Sequence, residues 1–272
     1  MGSAKCRMKP SFLFETSFQF GLDWIKEAGN LIMSVFERPR NIEKKGVIDL
    51  VTDADKASES LLINRILDQF PKHSILSEES GIITGSSEHQ WIIDPIDGTT
   101  NYSRKLPFFC ISIGYKVANQ TQFGLIYAPA IQQLYYAKYQ FGAFRNHIPI
   151  QVSKTETIQD AFLTTGFPYT LHSTEENNNM PLFSYFSSHA LAVRRLGSAA
   201  LDLCYVAEGI FDGYWEVSLQ PWDFSAGNLL VKEAGGDVST FSGEDVPATR
   251  SSLIASNHPL FFQMKEIIQR LC

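Results

Sequence analysis

The chain has 272 residues, 44% of them hydrophobic and 19% charged, the balance of a soluble globular protein able to bury a sizeable core. A formal net charge of −6 argues against a nucleic-acid surface, which needs clustered Lys and Arg, and no run reaches the ~18 apolar residues of a membrane span. Cys6, Cys110, Cys204 and Cys272 form no CxxC pair, which leaves zinc and dithiol motifs unsupported and fits a reducing cytoplasm.

Residues 1–16 read as a disordered tail of one unit spanning 1–272. Phe18, Leu22, Ile25, Ala28, Ile32, Val35 and Phe36 recur at helical spacing and predict an amphipathic helix over 17–37, ended by Pro39. Val47–Val51 reads as extended. Residues 53–69 read as a second helix, with either Thr52 and Asp55 as a capping box or Asp53 as the cap. Ile75–Ser77 leads into Glu78-Glu79-Ser80, and residues 85–90 form a polar loop. Trp91–Ile93 is a strand delivering Asp94. Runs at Phe108–Ala118, Phe123–Ala128, Gln133–Lys138 and Gly142–Phe144 are spaced as an antiparallel meander. The polar stretch 171–181 predicts a mobile loop. Helices follow at 197–208 and 223–234, the second ended by Gly235-Gly236. Strands at 237–240 and 253–255 precede a last helix at 258–271. Cys110 and Cys204 lie in apolar runs and read as core. Helices mixed with strands suggest layered α and β in one unit.

Five segments stand out, and each has an ordinary reading beside a chemical one. In Trp91–Asn101, WIIDPIDGTTN, a strand end carries Asp94 and Asp97 three residues apart; they are turn caps, or carboxylates converging on a hard cation such as Mg²⁺. Glu78-Glu79 is a solvated turn or a source of a further carboxylate. Asp223, in Pro221-Trp222-Asp223, is a helix N-cap or a metal ligand at a helix start that faces an anion. Asp55 caps a helix or helps to activate water. Gly197-Ser198-Ala199-Ala200 is a close helix contact or a helix start suited to an anion. An acidic chain acting on an anion needs positive charge from outside, and bound metal is the obvious source.

Taken together, LVTDAD (50–55), EES (78–80), WIIDPIDGTTN (91–101), GSAA (197–200), YWE (214–216) and PWDFSAG (221–227) resemble the inositol monophosphatase family over nearly the whole chain. RRLGSAALDL and DGYWEVSLQPWDFSAG resemble its bacterial SuhB-type branch. The resemblance implies an α/β, layered αβαβα sandwich of the sugar-phosphatase type. It also implies hydrolysis of a small phosphorylated polyol such as inositol-1-phosphate. Two magnesium ions and a third, weaker one are expected, with Glu78, Asp94, the Ile96 carbonyl, Asp97 and Asp223 as ligands. Asp55 and Thr99 correspond to the pair that orients the attacking water, and Glu78 joins them in catalysis. Gly98 and Thr99 correspond to amides that hold phosphate, beside Asp97. Gly197, Ser198, Ala199 and Glu216 correspond to positions that hold the alcohol. Lithium sensitivity and a homodimer come with the family. The loop between EES and WIIDP, near the third ion, is shorter than in animal members. Fructose-1,6-bisphosphate and nucleotide 3′-phosphates are the rival substrates, and a transcription or ribonucleoprotein accessory role is the rival of another class.

Overall fold

The computed structural model describes residues 12–37, 42–44, 50–167 and 179–272. Helix α1 (Phe12–Ser34) buries Phe14, Phe18, Leu22, Ile25, Ala28 and Ile32 along one stripe. It begins earlier than the predicted 17–37, because Phe14 and Phe18 both pack edge-on against Phe123, and it ends at Ser34. Of the stretch read as a tail, residues 1–11 lie outside the described residues and Phe12–Thr16 belong to α1.

The short pair β1 (Ile42–Lys44) and β2 (Leu50–Thr52) is antiparallel and leads into α2 (Asp53–Gln69). Of the extended segment read at Val47–Val51, residues 47–49 lie outside the described residues. Thr52, not Asp53, is the N-cap: its hydroxyl accepts from the Ala54 and Asp55 amides, and Asp55 returns the bond by accepting from the Thr52 amide at 2.8 Å.

The larger sheet contains β3 (Ser74–Ser77), β4 (Gly81–Ile83), β5 (His89–Asp97), β6 (Cys110–Val117), β7 (Gln120–Ala128), β8 (Gln133–Lys138), β9 (Gly142–Arg145) and β10 (Ile148–Pro149). Its order is β10-β9-β8-β7-β6-β5-β3-β4. The predicted meander is present as β6 to β9, and the structure extends it antiparallel to β5 on one side and β10 on the other, while β3 joins β5 in parallel. Strand β5 begins inside the segment read as a loop, where His89 pairs with Val117 and its Nδ1 lies 2.6 Å from the Tyr115 hydroxyl.

The second sheet, ordered β12-β11-β13-β15-β14, is built from β11 (Phe162–Thr165), β12 (Ala192–Arg194), β13 (Gly213–Leu219), β14 (Asp237–Ser239) and β15 (Ser251–Ser256). The remaining helices are α3 (Thr99–Ser103), α4 (Met180–His189), α5 (Ala199–Ala207), α6 (Pro221–Glu233) and α7 (His258–Leu271). Residues 171–178 of the stretch read as a mobile loop lie outside the described residues, and Met180 and Pro181 open α4.

Three apolar clusters show how these pieces stack. Ile111, Ile113 and Tyr115 of β6 face α1 and α2. Ile126 and Ala128 of β7 face α5 and α6, which meet Tyr214, Leu253 and Ala255 of the second sheet on their other side. Trp215 and Ile254 point away from that layer, against α4 and α7. Period-2 alternation along each strand thus feeds two layers at once, and the expected αβαβα sandwich is what results. Helix α6 sits close to the larger sheet because Gly124 lacks a side chain; a Cβ there would lie 2.7–2.8 Å from the Ala226 backbone.

Candidate metal and phosphate site

The site forms where the strands of the larger sheet end. Parallel pairing puts Ser77 opposite Ile93, so the chain leaving β3 at Glu78 emerges beside Asp94. On a regular strand, residues three apart point to opposite faces. Here Asp94 pairs with Ser112 and Asp97 with Cys110, three residues against two, and this bulge re-aims the strand end.

Asp94 is buried, and its Oδ1 has no hydrogen-bond partner among the described residues. Burial first, and then Glu78, Asp97, Asp223 and Asp55, push its pKa well above the usual carboxylate range. Those four are residues the sequence singled out, so the fold brings the predicted carboxylates into one electrostatic neighbourhood. Asp223 is likewise raised by burial, then by Asp97, Glu78 and Glu216. Asp223 is not the N-cap. Gln220 holds that place, and Asp223 stands at the third helical position with Oδ2 accepting from the Gln220 amide at 2.7 Å. The reason is Pro221, which needs no amide partner and occupies the first turn.

Asp55 is fully buried. Its Oδ2 accepts from the Thr52 amide and hydroxyl, and its Oδ1 accepts from Thr99 Oγ1 at 3.1 Å. Thr99 Oγ1 is also 3.0 Å from the Ile96 carbonyl, so its single proton serves one of two acceptors while its lone pairs stay available. The predicted Asp55–Thr99 pair is therefore in direct contact. Burial raises Asp55 against the pull of its donors.

Gly98 has φ +91°, and a Cβ there would meet the carbonyls of Phe108 and Gly197 at 3.1 and 3.2 Å. Only glycine suits both demands. The GSAA helix start already faces an anion, but that anion is the protein's own. Asp97 Oδ2 accepts from Ser198 Oγ at 2.6 Å and from the Ala200 amide at 2.7 Å. A pocket of about 120 Å³ is lined by Asp97, Gly197, Ser198, Ala199, Glu216 and Asp223. Glu216, on β13, accepts from the Tyr214 hydroxyl at 2.6 Å, and burial pushes its pKa up to about 7.

Four residues at the site escaped sequence reasoning. Glu59, on α2, holds the turn that carries Glu78. Its Oε1 accepts from Ser77 Oγ and from the Glu79 and Ser80 amides, and its Oε2 accepts from Ser80 Oγ at 2.5 Å. Its distance in sequence from EES hides that link. Asn101 Nδ2 donates to the Phe108 and Leu196 carbonyls, each at 2.8 Å, tying the central loop to GSAA. Asp202 and Arg195 also line the pocket, with Arg195 set over the Phe167 ring. Their spacing around GSAA, RRLGSAALD, was the available signal.

Among the described residues no three His, Cys, Asp or Glu side chains gather tightly enough to ligate one ion as they stand. The donor set nevertheless fits a hard divalent cation: it is all oxygen, its members raise one another's pKa values, and Asp94 Oδ1 lacks a partner. A cation in their midst would remove both costs.

The model of the inositol monophosphatase family matches residues 15–270. The chain is 40% identical to Nus factor SuhB of Escherichia coli over 235 residues, covering 85% of this chain and 88% of that protein. It is 37% identical to inositol-1-monophosphatase of Synechocystis over 257 residues, covering 93% and 89%. The solved structure of inositol monophosphatase from Anabaena superposes with a TM-score of 0.86 at 36% identity, covering 96% of this chain and 98% of that one.

Proposed function

The chain belongs to the inositol monophosphatase family, and from that premise we propose that it is a Mg²⁺-dependent phosphomonoester hydrolase whose substrate is inositol-1-phosphate. The observation that carries this reading is the ring of Asp94, Glu78, Asp97 and Asp223, with Asp94 Oδ1 unpartnered and the Asp55–Thr99 pair at its edge.

Glu78, Asp94, the Ile96 carbonyl, Asp97 and Asp223 would hold the magnesium ions, two of them and a weaker third. When bound, magnesium supplies neutralisation of the phosphate dianion and acidification of water. Asp55, fixed by three donors, accepts the proton of a water that hydrogen-bonds to Thr99 Oγ1. The Gly98 and Thr99 amides donate to phosphate oxygens. Gly197, Ser198 and Ala199 line the alcohol side, and Glu216 accepts from a substrate hydroxyl once ionised. Phosphoryl transfer asks chiefly for such positioning and charge stabilisation, so no covalent intermediate is invoked.

The test is phosphate release from inositol-1-phosphate with magnesium and then with EDTA. Magnesium-dependent turnover supports the reading; the absence of turnover on it, with activity on fructose-1,6-bisphosphate or adenosine 3′,5′-bisphosphate, transfers the activity to those substrates. Inhibition by lithium and a homodimer in sedimentation belong to the same reading, as does a cytoplasmic location. Among the described residues no helix is long and apolar enough to cross a membrane.

The name Nus factor SuhB, carried by relatives of several bacteria, favours a second and compatible reading, association with the transcription machinery. Capture from a host lysate with the chain as bait would recover RNA polymerase subunits if this holds, and a clean bait would remove it.

A further inference from the structure

Away from the carboxylate ring, a cavity of about 240 Å³ opens between the β6–β7 turn, α6 and the segment 245–248. Even-numbered residues of β6 face α6: Ser112 donates to the Trp222 carbonyl, and Gly114 lies against Ser225. The next in that row is Lys116, which is 8% exposed and lines the cavity. Burial lowers its pKa, and no carboxylate opposes that effect. It has no hydrogen bond or ion pair among the described residues, so its ammonium is left facing the cavity. Two turns along α6, Asn228 lines the same cavity, and its Oδ1 is buried without a donor among the described residues. Lys232, one turn further and exposed, adds a second cation at the mouth. Asp245 is the single carboxylate of the lining and is exposed at the rim.

An unpaired cation facing a recessed cavity calls for an anion, and an unpaired carbonyl oxygen in the cavity wall calls for a hydroxyl or amide donor. We propose that this cavity is a second binding site, separate from the carboxylate ring, for a small anion that carries a hydroxyl, such as a hydrogen phosphate or a phosphorylated polyol. The volume lies below the range of about 300–1,000 Å³ usual for larger organic ligands, which restricts the occupant to a small one. The cations come from the protein itself, so binding here does not require metal.

Orthophosphate is the probe, because it bears both the charge and the hydroxyl. Equilibrium dialysis of the full chain with labelled phosphate is run in magnesium and again in EDTA. The site predicts one bound phosphate per chain that survives EDTA. Lys116→Gln weakens it by about tenfold or more, the scale of one charged hydrogen bond, and Lys232→Gln weakens it less. Both variants keep parental turnover of inositol-1-phosphate at low phosphate. Lys232 is exposed, so its variant guards against a folding failure at Lys116. No phosphate bound in EDTA, or binding unchanged in both variants, overturns the proposal. Loss of only the magnesium-dependent phosphate instead counts against the catalytic reading and leaves this site standing.

Discussion

At the scale of single residues, Asp94 is where burial, charge crowding and a missing partner meet. Asp94→Asn is expected to cut turnover by orders of magnitude while the protein still folds, and phosphate-release assays beside thermal melts check both halves. The melts should show more. Asp94, Asp223, Asp55 and Asp97 hold protons more tightly in the folded chain than in the unfolded one. Between the ordinary carboxylate range and those raised values, the native state carries the extra protons, so metal-free protein loses stability as pH rises. Glu216 acts in the same sense from 4.5 up to about 7. His73, pushed down to about 4 by burial and by His89, acts in the opposite sense up to 6.5. Metal-free Asp94→Asn should therefore lose less melting temperature than the metal-free parent as pH rises from the ordinary carboxylate range, at about 2–4 °C per kcal/mol for a chain of this size. A variant that loses as much as the parent would contradict the crowding.

At the scale of elements, the site depends on joints between segments far apart in sequence. Glu59 is the clearest. Four donors from the end of β3 and the turn after it converge on its two oxygens. Glu59→Gln keeps the shape but replaces an acceptor with a donor. It should cost about 2–3 kcal/mol of stability, as charged hydrogen bonds do when broken, and should weaken magnesium binding about tenfold through the loosened Glu78 turn. Denaturant melts and a magnesium titration of turnover would measure the two effects; lost stability with unchanged metal affinity would make Glu59 a purely structural residue. Gly98 is the second joint. Gly98→Ala meets the left-handed penalty of about 1–2 kcal/mol and also crowds the Phe108 and Gly197 carbonyls. Turnover should fall more than stability does, since those carbonyls belong to the segments that frame the pocket.

For the whole molecule, the carboxylates are contributed by α2, the end of β3, β5 and α6, elements that the layered sandwich alone assembles. Anything binding that ring ties those elements together in the native state and not in the unfolded chain. Magnesium at 100 times its dissociation constant should add about 2.7 kcal/mol to unfolding, and EDTA should remove the gain. Differential scanning calorimetry across a magnesium series reads this directly, and a flat series would sink the metal assignment. The same experiment on Asp94→Asn should show a smaller gain.

Hydrophobic periodicity and local turn chemistry were enough to read α2, α7, β8 and the antiparallel run from β6 to β9, because each depends on contacts within a few residues or on a strict alternation. The chemical side chains Asp55, Glu78, Asp94, Asp97, Thr99, Glu216 and Asp223 were legible for a related reason: short motifs mark them. The sequence missed β11, β12, β13 and α4, whose short or uniformly apolar runs carry no clear period and take their form from the layers on either side. It also missed Glu59, Asn101 and the cavity around Lys116, since each gains its meaning from partners on other elements of the fold. Local pattern determined which residues could do chemistry. Only the stacking of the two sheets decided which of them meet, because convergence of charge is a property of distance in space and not of distance along the chain.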